Sequence, residues 1–186
     1  MRQFKDKTVK YMIGFIVCIL VRLIPFRPAN VEPIMTTMMP FAKKWGWISG
    51  GLFAALSMVI FDLVHPTQGF NRIGIWTFAT AGMYGLIGIA AGIILKANRK
   101  TTHYVGFAVI ATLFYDFITG PVLSSVMFDM PFMLSLSGQI PFTLRHLAGN
   151  VFGAWLISPI LHRWVVANPK LETSYLYDRM KSLAGS

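Results

Sequence analysis

The stretch GWISGGLFAALSMVIFDLV, residues 46–64, is an apolar run in which Asp62 is the only charged side chain. About 20 such residues in a helix cross the roughly 30 Å hydrocarbon core of a bilayer. The rest of the chain has the same character, since 55% of its 186 residues are hydrophobic and 13% are charged. A soluble domain averages about 25% charged residues. The sequence therefore predicts an all-α integral membrane protein.

Six apolar runs can be read along the chain, and we predict that they form one compact bundle of six transmembrane helices in a single membrane domain, 1–186. The runs lie at about 9–26, 30–42, 45–65, 74–96, 103–128 and 139–165. A polar tail, 167–186, follows them. The second run is short, because residues 31–42 span only about 18 Å as a helix.

The positions of the basic residues favour a second run that crosses the membrane. With all six runs crossing and the N-terminus inside, almost every Lys and Arg lies on the inner side, as cytoplasmic loops require. The exceptions are Arg22, Arg27, Arg72 and Arg145. We therefore expect a multi-pass protein of the cell membrane with both termini in the cytoplasm. The formal charge of +10 is then a property of its loops, and we predict no nucleic-acid partner.

Two segments near the end of the chain interrupt the apolar pattern. The sequence TGP at 119–121 predicts a break or kink in the fifth run, because proline and glycine disfavour a continuous helix. The partly apolar segment 124–142 we expect to be a loop folded over the outer face.

Polar side chains collect in the outer half of the predicted bundle. Charged groups at membrane depth cost several kcal/mol unless they are paired or hydrated, so a cluster of them marks a buried site or an aqueous cavity. Mutual pairing that only holds the bundle together is the alternative. The candidate substrate-binding residues in or near the spans are Asp62, His65, Trp76, Tyr84, Tyr115, Asp116, Gln139, Arg145, His146 and Asn150.

The stretch RLIPFRPANVEP, residues 22–33, joins the first two runs. Its three prolines fix backbone angles, and a stiff loop loses less entropy when it closes over a ligand. We predict that it covers a binding site, with Arg27, Asn30 and Glu32 contacting the ligand. A rigid connector that sets the angle between two helices is the alternative.

Small residues at four-residue spacing occupy the inner halves of several runs. Such pairs let helices approach closely, and we expect most of them to pack the bundle, with one pair available for docking. They are Gly14 and Cys18, Gly46 and Gly50, Gly88 and Gly92, and Gly149 and Gly153.

Four stretches together resemble the S component, the substrate-binding membrane subunit, of energy-coupling factor (ECF) transporters for vitamins and related micronutrients. They are PFRPANVEP (25–33), GWISGGLFAALSMVIFDLV (46–64), ATAGMYGLIGIAAGIIL (79–95) and HLAGNVFGAWLISPIL (146–161). The resemblance covers about residues 8–166. It implies an outward-facing pocket walled by spans four to six and roofed by outer loops.

The resemblance also implies partners. S components work with a transmembrane T component and two ATPases, and this sequence has no GxxxxGK[ST] nucleotide-binding loop of its own. In the family a small-xxx-small pair in the first span meets the T component, and Gly14 and Cys18 occupy that place here. The metal-specific branch has a histidine after the first methionine, where this chain has Arg2. We therefore predict no cobalt or nickel cargo, no metal site and no cofactor.

Three other functions remain open at the level of the sequence. A membrane enzyme could use Asp62, His65, Asp116 and His146 as acid–base groups or metal ligands, although the chain lacks the HExxH motif. The second alternative is an ion-coupled carrier that works alone, and the third is a purely structural subunit. The identity of the substrate cannot be read from the sequence.

Overall fold

The computed structural model describes residues 2–24, 32–65, 73–96 and 100–184, and in these ranges the regular elements are helices. Five are uninterrupted: α1 (Arg2–Leu23), α2 (Pro33–Trp45), α3 (Trp47–Val64), α4 (Ile75–Ile94) and the C-terminal α7 (Thr173–Ala184). A 3-10 turn, Pro169–Leu171, precedes α7.

The other two helices change pitch along their length. Helix α5 (101–128) is α-helical over Thr101–Phe117 and Leu123–Phe128, with a π-helical turn at Ile118–Val122 between them. Helix α6 (132–166) runs through Phe132–Phe152, a π turn at Gly153–Ile157, the α turn Ser158–Leu161 and a second π turn at His162–Val166. The interruption predicted at TGP is thus a π turn within a continuous helix rather than a break.

In the described ranges, three helices are long and apolar enough to cross a membrane: Trp47–Val64, Ile75–Ile94 and Thr101–Phe128. Large apolar side chains on these helices point away from the rest of the fold, for example Leu52, Phe78 and Ile110, which is 71% exposed. The structure confirms the prediction of an all-α chain with several helices of membrane-crossing length.

Helix α2 lies at the centre of the fold. Residues 34–42 are all buried, and the helix contacts α1, α3, α4, α5 and α6. Among its side chains Met35, Met38, Met39 and Phe41 have no exposed surface. Its 13 residues make a helix of about 20 Å, shorter than the roughly 30 Å hydrocarbon core, so α2 is a short core helix packed among longer ones.

Glycines set the close packing of α2, α3 and α4. Gly46 has a φ of 86°, a backbone region that other residues rarely adopt, and it joins α2 directly to α3. Further along α3, a Cβ on Gly50 would clash with the carbonyl of Gly88 on α4, and a Cβ on Gly92 would clash with the backbone of Trp47. The packing role predicted for Gly50, Gly88 and Gly92 is confirmed, while Gly46 meets no atom within 4 Å and is placed by its backbone conformation.

A proline in α2 explains how α6 docks against it. Pro40 has no N–H, so the carbonyl of Thr36, four residues earlier, lacks its usual helical donor. The hydroxyl of Ser158 on α6 donates to this carbonyl at 2.7 Å. Gly153 lets α6 approach, because a Cβ there would clash with the Thr36 side chain.

The segment 124–142 is helical for most of its length, and the prediction of a loop there was wrong. Helix α5 continues to Phe128, Asp129 turns the chain with a φ of 52°, and α6 begins at Phe132 after Pro131. Asp and Pro are typical of such a turn. The partly apolar composition of this segment suggested a loop, yet its polar side chains fit a helix, as the Ser137 hydroxyl does by donating to the carbonyl of Leu134 at 2.9 Å.

Candidate functional site

Two hydrogen bonds join α5 to α6 in the buried interior. Asp116 Oδ1 lies 2.7 Å from His146 Nδ1, and Asn150 Nδ2 donates to Thr112 Oγ1 at 2.8 Å. On each helix the two residues are four positions apart, which is one turn and about 6 Å along the axis. The helices are antiparallel, so the pairs stack as two rungs. We call these four residues the polar ladder.

The polar ladder is sealed from solvent. Thr112 and Asn150 have no exposed surface, and Asp116 and His146 are 1% exposed. Apolar residues of α2 close its lower end, where the Thr112 hydroxyl donates to Met35 Sδ at 3.8 Å. Buried polar groups are normally satisfied by hydrogen bonds, and each exception calls for a physical explanation.

The polar ladder has exceptions of this kind. Asp116 Oδ2, His146 Nε2 and Asn150 Oδ1 are buried and find no hydrogen-bond partner among the described residues, and the same holds for the Tyr84 hydroxyl. Each stranded polar group costs about 1–3 kcal/mol. The bonds within the ladder therefore use only part of its hydrogen-bonding capacity.

Aromatic rings surround the pair of Asp116 and His146, which we call the upper rung. The Tyr115 ring centroid lies 4.5 Å from that of Tyr84 and 5.8 Å from that of His146. Phe142 contacts the His146 ring at 5.8 Å in an edge-on geometry. Because Tyr84 belongs to α4, these contacts bring α4, α5 and α6 together around the polar ladder.

A charged cluster lies close to the same tyrosines. Arg22 Nε is 2.9 Å from Glu32 Oε2, a charge contact in which the N–H is not aligned for a hydrogen bond. Arg22 Nη1 also donates to the Ser57 carbonyl at 3.0 Å, and the guanidinium lies 3.8 Å from the Phe61 ring centroid. The charges of Arg22, Glu32 and Asp116 all act on Tyr84 and Tyr115.

Each helix of the polar ladder passes into a π turn just beyond it. On α5 the π turn Ile118–Val122 follows Asp116, and on α6 the π turn Gly153–Ile157 follows Asn150. Single π turns within α-helices occur frequently at functional sites, because they re-aim side chains and free backbone groups. Because the two helices are antiparallel, one π turn lies beyond each end of the polar ladder.

The structure brings five of the sequence-predicted residues together: Tyr84, Tyr115, Asp116, His146 and Asn150. Glu32 pairs with Arg22, and both lie within electrostatic range of Tyr84 and Tyr115. Two others lie nearer the surface: Arg145 is exposed beside His146, and Trp76 is 40% exposed with its ring 6.0 Å from that of Phe128.

Of the remaining predicted residues, three are described by the structure and two are not. Asp62 and His65 are half-buried on α3, where His65 packs on Phe61 with ring centroids 4.9 Å apart. Gln139 lies against Gly120 and contacts the Thr143 hydroxyl at 3.5 Å. Arg27 and Asn30 fall outside the described residues. The lid predicted for the loop between the first two helices is thus not described.

The small pair in α1 lies inside the fold. Gly14 and Cys18 are both buried, and a Cβ on Gly14 would clash with the Phe41 ring of α2. This placement gives the pair a packing role within the fold. The exposed large apolar side chains of α1 are instead Met12, Ile16, Val17, Leu20 and Val21.

Sequence reasoning missed Thr112, Met35 and Phe142. A signal for Thr112 was available, because it precedes Asp116 by the four residues that separate His146 from Asn150. Nothing in the sequence marked Met35, which belongs to the apolar core by composition. In the described ranges, His, Cys, Asp and Glu side chains form no group of three that could hold a metal ion.

No family model matches the chain, and no curated protein or solved structure does either. The function must therefore be argued from the chemistry of the site.

Proposed function

We propose that this protein is a substrate-binding membrane subunit that captures a small polar molecule at the polar ladder. The observation that supports this most strongly is the set of four buried atoms without partners: Asp116 Oδ2, His146 Nε2, Asn150 Oδ1 and Tyr84 Oη. A ligand that bonds to these atoms would recover the free energy lost by burying them.

A purely structural role explains this arrangement less well. A polar pair that only joins two helices gains most when every buried donor and acceptor is satisfied, because a half-satisfied network is less stable than an apolar core. The polar ladder uses Asp116 Oδ1 and His146 Nδ1 for the contact between helices, and the other polar atom of each side chain makes no hydrogen bond to the described residues. Those two atoms are available to bind a ligand.

We further propose that six helices, α1 to α6, lie in the cell membrane, with both termini in the cytoplasm. The exposed apolar side chains of α3, α4 and α5 suit contact with lipid. Basic residues collect at the end of the fold opposite the Arg22 cluster: Lys10 donates to the Val166 carbonyl at 3.3 Å and pairs with Glu172 at 3.0 Å. This charge distribution supports an inner face at Lys10 and an outer face at Arg22.

The proposed subunit is of the ECF type, importing a vitamin or related micronutrient rather than catalysing a reaction. A T component and two ATPases would supply the energy. Because Gly14 and Cys18 pack against α2, we place no docking role on them.

The test is native mass spectrometry of the purified chain in detergent, followed by release of any small molecule on unfolding. We expect a retained molecule in the parent protein and its loss in Asn150→Ala. A folded parent protein that retains no molecule, and binds none of the compounds supplied during purification, would contradict the proposal.

The buried pair of Asp116 and His146 also favours a second candidate, a proton-coupled carrier that works alone. Carboxylate and imidazole groups at membrane depth are the groups that proton relays use. Concentrative uptake by the chain alone in liposomes, driven by a proton gradient, would identify this carrier. Binding without such uptake would favour the subunit.

A further inference from the structure

The orientation of the Asn150 amide is fixed by its neighbours. Thr112 has one hydroxyl proton, and that proton points to Met35 Sδ. The Thr112 oxygen must therefore accept from Asn150, so the Asn150 Nδ2 faces Thr112 and Oδ1 faces away. Asn150 thus presents an acceptor to the site.

The upper rung presents acceptors too. An ionised carboxylate only accepts hydrogen bonds, so His146 Nδ1 donates to Asp116 Oδ1. The other nitrogen, Nε2, accepts a hydrogen bond when the imidazole is neutral and donates one when it is protonated. Asp116 Oδ2 and Asn150 Oδ1 are then two buried acceptors without partners among the described residues. The Tyr84 hydroxyl can serve as donor or acceptor.

The charges near the polar ladder also disfavour an anionic ligand. Arg22 is the one buried guanidinium of the described residues, and it is neutralised by Glu32 and bonded to the Ser57 carbonyl. In the described ranges, the Asp116 carboxylate is paired with no basic side chain other than His146. An anionic ligand would therefore meet two acceptors, the Asp116 carboxylate oxygen and the Asn150 amide oxygen.

The rings around the rung add a preference of their own. Tyr84, Tyr115 and Phe142 surround His146 with aromatic faces and edges. Aromatic faces attract cations and stack on flat rings. A flat heterocycle that carries N–H groups satisfies both the rings and the acceptors.

We infer that the ligand of the polar ladder is a neutral or cationic nitrogen heterocycle with amine or amide N–H donors, and that carboxylates and phosphates are disfavoured. This inference rests on the proposed function and adds the chemical class of the substrate.

Four pyridines of nearly equal size test the class, since they differ only at the 4-position. 4-Aminopyridine is cationic near neutral pH and carries N–H donors, and isonicotinamide is a neutral donor. Isonicotinate is an anion, and methyl isonicotinate is neutral without an N–H. Displacement of the retained molecule, or direct binding by ligand-detected NMR, ranks the four on the full chain in detergent.

We expect the amine and the amide to bind at least about tenfold more tightly than the carboxylate, the size of effect that one stranded buried partner produces. In Asp116→Asn the advantage of 4-aminopyridine over isonicotinate should shrink by a similar factor. Tyr104→Phe serves as a control, because it removes a buried hydroxyl about 12 Å along α5 from Thr112.

The outcomes separate the two proposals. If isonicotinate binds best, or if the retained molecule is an anion whose binding Asn150→Ala still abolishes, the ligand class is wrong while the binding function stands. If no pyridine binds and no molecule is retained, the binding function itself is wrong. A preference for the donors that Asp116→Asn leaves unchanged would place the site elsewhere and overturn the inference.

Discussion

Asp116 and His146 contact each other across 2.7 Å between α5 and α6, while the far atoms of both side chains, Oδ2 and Nε2, remain buried without a partner. The contact therefore does two things. It joins two helices, and it leaves one hydrogen-bonding atom of each side chain facing the interior, near Tyr84 and Tyr115.

The joining role predicts a pattern of stability. Replacing Asp116 alone or His146 alone with leucine should lower the free energy of unfolding by about 1–3 kcal/mol, because the remaining partner is stranded. The double variant should lose less than the sum, since an apolar pair of similar volume is often neutral. Unfolding in graded denaturing detergent measures all three. Additive losses would show that the two side chains do not act as a pair.

The presenting role predicts a loss of binding. Asn150→Ala should weaken ligand binding by about 1–3 kcal/mol, the cost of removing a buried polar partner. Arg145→Ala, five residues earlier and exposed, should change binding less. Titration of both folded variants with the retained molecule decides between them. A larger effect at Arg145 would move the site to the protein surface.

The approach of α3 to α4 predicts an unequal response to the smallest side chain. A Cβ on Gly50 would clash with the Gly88 carbonyl, while a Cβ on Gly82 of α4 meets nothing within 4 Å. Gly50→Ala should destabilise the fold by about 1–3 kcal/mol or more. Gly82→Ala should be neutral or stabilise by up to about 1 kcal/mol, from helix propensity. Thermal unfolding in detergent measures both, and equal responses would contradict the close packing.

The bond from Ser158 to the Thr36 carbonyl predicts coupling to Pro40. Ser158→Ala should cost about 1–3 kcal/mol, because the carbonyl freed by the proline loses its donor. With Pro40→Ala the backbone N–H of residue 40 can take over, and Ser158→Ala should then cost at least about 0.5 kcal/mol less. A double-mutant cycle on unfolding gives this difference. No coupling would mean that the proline has no part in docking α6.

Much of the candidate site could be predicted because its chemistry is conspicuous in an apolar chain. Asp116, His146 and Asn150 stand out in runs of membrane-crossing hydrophobicity, where a polar side chain needs a reason. Thr112 did not stand out, since threonine is common in such helices and bonds to its own backbone. Which residue of α5 pairs with which residue of α6 depends on the antiparallel register of the two helices, and a local sequence pattern does not determine that register.

The faces and ends of helices were harder to predict. Gly14 and Cys18 show the spacing of a helix contact, and the same spacing serves a partner protein or a neighbouring helix equally well. Only the position of Phe41 on α2 shows which one Gly14 meets. The partly apolar segment 124–142 suggested a loop, yet it extends α5 and begins α6, and the Ser137 hydroxyl bonds within the helix.

The central claim is that the partnerless atoms of the polar ladder bind a small molecule. Tyr84→Phe and Tyr104→Phe test it directly, because each removes one buried hydroxyl without a partner among the described residues and only Tyr84 lies at the ladder. The measurement is the fraction of protein carrying the retained molecule in native mass spectra of the parent and the two variants. We predict that Tyr84→Phe lowers this fraction severalfold and that Tyr104→Phe leaves it at the parent value. Equal occupancy in both variants, or a loss confined to Tyr104→Phe, would contradict the claim.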